Sequence, residues 1–135
     1  MATIFDKLNL KDHQEIVVLH APASFEPALA HLPVLTIHHH LASVAEMNFF
    51  LAFATRKSEV DELGPQIAAR AKGDAIVWLA YPKGTSKKYK CDFNRDTGWD
   101  ALKAAGFDTV RSVAIDEDWT ALRFRRKEYI KARQK

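Results

Sequence analysis

A three-layer α/β/α sandwich on a mostly parallel sheet is the fold this sequence predicts. Three observations carry the prediction. Short runs rich in β-branched and aromatic residues, at Glu15–His20, Val34–His38, Asn48–Ala54 and Asp74–Tyr81, alternate with segments of helical character. These runs are apolar at consecutive positions, so each strand should be buried on both faces, as in a parallel sheet covered by helices. The last third of the chain breaks the alternation. There Asp108–Ile115 and Trp119–Arg125, joined by Asp116-Glu117-Asp118, read as an antiparallel hairpin.

Each element has a local reason. Residues 3–12 form a short helical or irregular lead-in, with Ile4, Phe5 and Leu8 on one side. Ala21-Pro22-Ala23 ends the first strand. Ser24 is placed to cap a short helix from Phe25 to Leu32, with Glu26 in its first turn, where the helix dipole favours an acid. Pro33 stops that helix. Ser58 is the expected cap of the next helix, which carries Glu59, Asp61 and Glu62 early and Val60, Leu63, Ile67, Ala68 and Ala71 along one side. Gly64-Pro65 is expected to kink or split it, and Gly73 to end it. After the fourth strand and the loop of residues 82–93, Asn94 or Thr97 caps a helix with Trp99, Leu102 and Ala105 inward, closed by Gly106. The three tryptophans, Trp78, Trp99 and Trp119, read as packing rather than as a platform for nucleic-acid bases.

The totals set bounds. A chain of 135 residues fits a single α/β domain over residues 1–125, followed by a basic C-terminal tail over 126–135. No run of about 18 apolar residues indicates a transmembrane helix, so no membrane partner is expected. The opening Met-Ala-Thr-Ile-Phe-Asp shows no secretory signal, and a cytoplasmic location is the expectation. The single cysteine, Cys91, excludes an internal disulfide and a multi-cysteine zinc site. Charge is unevenly spread: residues 1–82 carry six Lys/Arg against nine Asp/Glu, residues 83–135 fourteen against eight. A basic half can attract a small anion, an acidic protein or nucleic acid. Nucleic-acid binding through the basic tail, Arg123 to Lys135, ranks lower because the imbalance is modest. Nothing in the residues sets the oligomeric state.

The strongest candidate site is the stretch that leaves the fourth strand. Ligands of open α/β sheets gather outside the carboxyl ends of the parallel strands. That rim is expected to collect His20, His38 to His40, Thr55, Arg56 and the loop from Tyr81 to Lys90. Within the loop, Lys83, Ser86, Lys87 and Lys88 are suited to a phosphate or carboxylate, with Gly84 freeing backbone donors. The plainer reading is a solvated loop whose lysines only keep it soluble. The glycine–lysine spacing of a Walker loop is missing. Arg95 is the candidate anion clamp; its plainer role is a brace on Asp116. Asp92 or Asp96 would be the general base of an enzyme, while Asn94 and Asp96 suit a helix start. His38 and His40 point to one face of a strand and, with His20, suggest a metal site, but no cysteine or spaced acid completes it. Lysine neighbours would activate Cys91 if it were exposed; a lone cysteine is otherwise incidental.

The order of elements resembles the class I methyltransferase-like Rossmann fold, which also ends in a helix and a β-hairpin. The resemblance spans about residues 15–125 and implies the spatial strand order 34–38, 15–20, 48–54, 74–81, 119–125, 108–115. A second resemblance covers nearly the whole chain. Tyr81-Pro-Lys-Gly84, Ser86-Lys87, Asn94-Arg-Asp96, Trp99, Ala114-Ile-Asp116, Trp119-Thr-Ala-Leu-Arg-Phe-Arg125 and His20-Ala-Pro22 are similar to a small bacterial family of unknown function. That likeness implies no activity.

A dinucleotide or S-adenosylmethionine site on this fold needs glycines just after the first strand, so that backbone can approach the ligand. Here that turn is His20-Ala-Pro-Ala-Ser-Phe25, without glycine, and Pro22 lacks an N–H. The acid expected after the second strand is replaced by His38-His39-His40. The cofactor therefore stays open. The leading expectation is a binding module for a small anionic ligand or acidic partner at the Lys83–Lys90 loop. The alternative is a divergent transferase-type enzyme, with Lys83 as electrostatic stabiliser.

Overall fold

A computed structural model describes residues 4–8, 10, 15–30, 32, 35–41, 44–93 and 98–130. The elements run in this order: α1 (Ile4–Lys7), β1 (Glu15–Leu19), a 3₁₀ turn (Ala23–Phe25), α2 (Glu26–Ala30), β2 (Thr36–His38), β3 (Met47–Phe53), α3 (Lys57–Arg70), β4 (Ala71–Pro82), α4 (Asp100–Ala104), β5 (Phe107–Ala114), β6 (Trp119–Arg126) and α5 (Lys127–Ile130). The six strands form one sheet in the order β2-β1-β3-β4-β6-β5. The first four are parallel to their neighbours; β6 pairs antiparallel to both β4 and β5. This is the three-layer sandwich that the sequence predicts, with the strand order that the resemblance in element order implies.

Consecutive apolar residues in the central strands divide between two layers, because successive side chains point to opposite faces. On one face Val17, Phe50, Val77, Leu79 and Leu122 meet Val60, Leu63 and Ile67 of α3 and Leu102 of α4. On the other face Ile16, Phe49, Leu51 and Trp78 meet Phe5, Leu8, Phe25 and Leu29. Ring pairs knit the second layer, Phe5–Phe25 at 5.6 Å and Phe25–Phe53 at 4.9 Å between centroids. Trp78, Trp99 and Trp119 are all buried, as packing requires.

Several local expectations are corrected. Ser24 lies inside the 3₁₀ turn, which begins after Pro22 and makes no side-chain cap bond. α3 starts at Lys57, so Ser58 is already in its first turn. The end is capped by Glu59, whose Oε1 accepts the backbone N–H of Thr55 at 2.9 Å and of Arg56 at 3.1 Å. Gly64-Pro65 does not split α3, which is assigned as continuous helix through Pro65. Gly64 serves packing instead. A Cβ there would stand 2.9 Å from Ala101 Cβ, so glycine allows α3 and α4 to approach closely. The helix ends at Arg70, and β4 starts at once at Ala71, before a register shift against β3. Gly73, with φ of 55°, lies in that irregular stretch and not at the helix end. Gly106 does close α4, with φ of 98° and its N–H on the Lys103 carbonyl. Asn94, Arg95, Asp96 and Thr97 lie outside the described residues, as do Pro33 and Val34.

Candidate functional site

The carboxyl ends of β1, β3 and β4 form a rim with three cavities. The first, about 390 Å³, is lined by His20, His39, His40, Glu59, Glu62 and Gln66, among others. It lies beside the point where the chain, having gone from β1 outward to β2, crosses back to β3, the crevice that binds ligands in open α/β sheets. The second, about 340 Å³, is lined by Thr55, Arg56, Lys90, Cys91 and Asp92. The third, about 440 Å³, opens at the end of β4 between Lys83, Gly84, Ser86, Tyr89 and Lys90, with Tyr81, Cys91 and Phe93 in its wall.

His20 carries the one positive φ among the described non-glycine residues, 59°. The turn after β1 thus takes the left-handed conformation that glycine would supply, with a histidine in it. That conformation costs a non-glycine residue about 1–2 kcal/mol, and glycine's extra freedom when unfolded offsets part of the gain from removing it. His20→Gly is therefore expected to stabilise the fold by about 0.5–1 kcal/mol, read as a higher urea midpoint. A lower midpoint would mean that the imidazole makes a contact worth more than the strain.

The backbone donors at the second cavity are already taken by the chain's own acids. Glu59 holds the N–H groups of Thr55 and Arg56. Asp92 Oδ1 accepts from the Lys57 N–H at 2.6 Å, at the positive end of α3. Asp92 acts here as an internal ligand of a helix terminus; its assignment as general base has no geometric support. Lys57 is held by Asp61, 3.0 Å away in an exposed pair, which raises the ammonium pKa.

The third cavity differs. Its loop is braced by Asp118, the last residue before β6: the Lys83 N–H donates to the Asp118 carbonyl at 2.8 Å, and Ser86 Oγ donates to Asp118 Oδ1 at 2.9 Å. Ser86 Oγ also accepts from the N–H groups of Lys88 and Tyr89. Asp116 is occupied elsewhere, its Oδ1 accepting the Asp118 and Trp119 N–H groups in the hairpin turn. Of the residues nominated from sequence, Lys83, Gly84 and Ser86 line this cavity. Ser86 does so as a structural knot. Lys87 and Lys88 are exposed and line none of the three rim cavities, and Arg95 lies outside the described residues. Gly84 has no positive φ and no atom within 4 Å of an added Cβ, so its conformation does not require glycine. Tyr89 and Asp118 were not legible as site residues. The spacing Ser86–Asp118 spans 32 positions and is created only by the pairing of β4 with β6.

Other basic residues are consumed by the fold. Arg125 makes a two-pronged pair with Asp74, at 2.8 and 2.6 Å, which raises its pKa further. Arg126, still in β6, donates to the carbonyls of Ala68 and Ala71 and lies over the Phe107 ring at 4.9 Å. These two arginines are thus committed to β4 and α3. By contrast, no ion pair forms between Lys83 or Lys90 and any acid among the described residues. Cys91 is half-buried, and burial pushes its thiol pKa up, opposite to activation by lysine neighbours. His38 does not line the crevice of His20, His39 and His40; it lies 3.6 Å from Glu15 in a separate cavity toward the amino ends of the strands. No set of three His, Cys, Asp or Glu among the described residues is placed to hold a metal ion.

No protein-family model matches the sequence, and no characterised protein matches it at the level of sequence. Solved structures do match the fold. A Methanococcus jannaschii fibrillarin, a pre-rRNA processing protein, superposes with a TM-score of 0.55 and 10% identity over 86% of this chain and 67% of its own. LepI, solved in complex with SAM, gives 0.55 and 12% identity over 91% of this chain. A ribosomal protein L11 methylase from Lactobacillus delbrueckii subsp. bulgaricus gives 0.51 and 13% identity over 83% of this chain and 69% of its own. The present chain spans only 39% of LepI. These matches establish a methyltransferase-like Rossmann fold. No helix among the described residues is long and apolar enough to cross a membrane.

The residues of the β1–β3 crevice do not fit the S-adenosyl group that this fold implies. The turn after β1 presents a histidine and Pro22 where close backbone approach is needed. The N–H groups of Thr55, Arg56 and Lys57 are occupied by Glu59 and Asp92, and Glu59 and Glu62 line the crevice where a carboxylate would have to lie.

Proposed function

We propose that the protein is a binding module for a small anionic ligand, held in the cavity between Lys83 and Lys90 at the end of β4. One observation carries this reading. Those lysines stand around a cavity of ligand size, on a loop fixed by Asp118, and no acid among the described residues neutralises them. Uncommitted cations beside apolar walls attract an anion more strongly than cations in open solvent do.

The test is Lys83→Ala/Lys90→Ala against the parent, in thermal melting with a panel of small carboxylates and phosphates. A ligand at about 100 times its dissociation constant should add roughly 2.7 kcal/mol in the parent. The double variant should lose that shift at the same ligand concentration while its ligand-free melting point stays within a few degrees. Equal shifts in both proteins would remove the loop from the reading.

A second reading, a divergent transferase, is favoured by the kinship of fold with the L11 methylase and with LepI, a protein solved with SAM bound. It predicts saturable binding of S-adenosylmethionine at the His20 crevice, unaffected by the lysine substitutions. The similarity of fold supports this reading more than the anion reading, while the occupied donors and missing glycines of the crevice count against it.

A further inference from the structure

Resting on the anion reading above, we infer that the third cavity selects an amphipathic acid: a planar, apolar body bearing one carboxylate, with recognition of the body supplied by Tyr89. Two observations point there. The first is what the loop's amides do. Sites that cradle phosphate aim successive free backbone N–H groups at it. Here the N–H of Lys83 goes to Asp118, that of Ser86 to the Lys83 carbonyl, and those of Lys88 and Tyr89 to Ser86 Oγ. Four of the loop's amides are thus spent inside the loop, and the cations at the cavity are lysine ammonium groups, which are point charges without a phosphate-shaped fork.

The second observation is the wall. Tyr81 and Phe93 form a ring pair 5.8 Å apart, backed by Trp99 at 5.6 and 5.0 Å. Tyr89 leans on buried Trp119 at 4.8 Å, which fixes a half-exposed ring at the cavity. Aromatic surface held rigid in this way binds a flat apolar group with little loss of side-chain freedom. Tyr81 and Phe93 are themselves buried, so an inorganic anion or acetate would use the lysines and leave the Tyr89 ring wet; an aromatic acid uses both.

Cys91 supplies a readout. It lines this cavity and the adjoining second one and is the only cysteine in the chain, so thiol alkylation reports these two cavities alone, and Tyr89→Leu, which touches only the third, tells them apart. The experiment measures iodoacetamide labelling of Cys91, with calorimetric titration in parallel, for 2-naphthoate, its neutral analogue 2-naphthalenemethanol, acetate and inorganic phosphate. The expected result is that naphthoate binds and slows labelling, while the other three bind at least about tenfold more weakly. Tyr89→Leu should weaken naphthoate about 3- to 10-fold and leave acetate unchanged; Lys83→Ala/Lys90→Ala should weaken both acids. Phosphate or acetate binding as tightly as naphthoate, and lost in the lysine variant, would overturn the aromatic selectivity and leave the anion reading standing. Naphthoate and its alcohol binding equally would overturn the anion reading itself. Heat without protection of Cys91 would place the ligand elsewhere, and absence of both heat and protection for every probe would sink both.

Discussion

Trp78→Ala is expected to lower the unfolding free energy by about 3–5 kcal/mol, a large part of the 5–15 kcal/mol a domain of this size usually holds. Trp78 is fully buried in the middle of β4, in register with Leu51 of β3 and Arg123 of β6. Its ring lies in the layer that joins α1 and α2 to the sheet. Its Nε1–H donates to the carbonyl of Leu8 at 2.8 Å, a bond that ties the start of the chain to the central strand across 70 positions. Above the ring, 5.6 Å from its centroid, sits the Arg111 guanidinium, which also donates to the Lys7 carbonyl. Alanine removes the volume, the bond and this cation–ring contact together. Trp78→Phe separates them: most of the ring stays, while the Leu8 carbonyl loses its donor, for about 1–3 kcal/mol. Urea unfolding followed by circular dichroism measures both. If alanine cost less than about 1.5 kcal/mol, the lead-in segment would not depend on the indole for its docking, and the account of that layer would be wrong.

The sheet was legible because its signal is local and redundant. A strand such as Asn48-Phe-Phe-Leu-Ala-Phe-Ala54 is apolar at almost every position, and only a strand covered on both faces wants that. The same argument identifies β4; the terminal hairpin is read from its Asp116-Glu117-Asp118 turn, and the strand order is implied by the resemblance to the class I methyltransferase-like fold. What failed was punctuation. Gly64-Pro65 reads as a break, yet Pro65 sits on an exposed helix face and Gly64 is demanded by Ala101, 37 positions away in sequence. Ser58 reads as a cap, but Glu59 takes the amides of Thr55 and Arg56, and a carboxylate accepts such bonds more strongly than a serine hydroxyl does.

The site was half legible for the same reason. Lys83 and the Pro82-Lys83-Gly84 break announce a basic loop at a strand end. That Asp118 rather than Asp116 braces it depends on tertiary pairing of β4 with β6. That Asp92 fills the end of α3 depends on the loop's path back across the rim. Charge counting could not distinguish Lys90, which lines two cavities, from Lys87 and Lys88, which line neither. Nor could it show that Arg125 and Arg126 are already used by the fold.

Gly98→Ala should be the most damaging small substitution near the cavity. Gly98 is buried with φ of 95°, a conformation that alanine reaches only with strain of about 1–3 kcal/mol. An added Cβ would lie 2.5 Å from Phe93 Cβ and 3.0 Å from its Cγ, too close to stay. Phe93 cannot simply swing aside, because its ring is packed against Tyr81 and Trp99. Strain and overpacking together give an expected loss of about 2–6 kcal/mol. Gly84→Ala is the matched control: its Cβ meets nothing within 4 Å and its φ is not positive, so the change should fall within about 0.5 kcal/mol of neutral. Urea midpoints of the two variants test the difference. Labelling of Cys91 tests its consequence for the cavity. In the parent, burial raises the thiol pKa, so alkylation should be slow at neutral pH and accelerate as pH rises through the raised value. If Gly98→Ala displaces Phe93, the thiol is rehydrated, its pKa falls back toward the ordinary range, and alkylation at neutral pH speeds up while the protein is still folded. A variant that is destabilised but labels no faster would mean that the clash is absorbed on the Trp99 side, and that Phe93, not Gly98, sets the shape of the cavity wall.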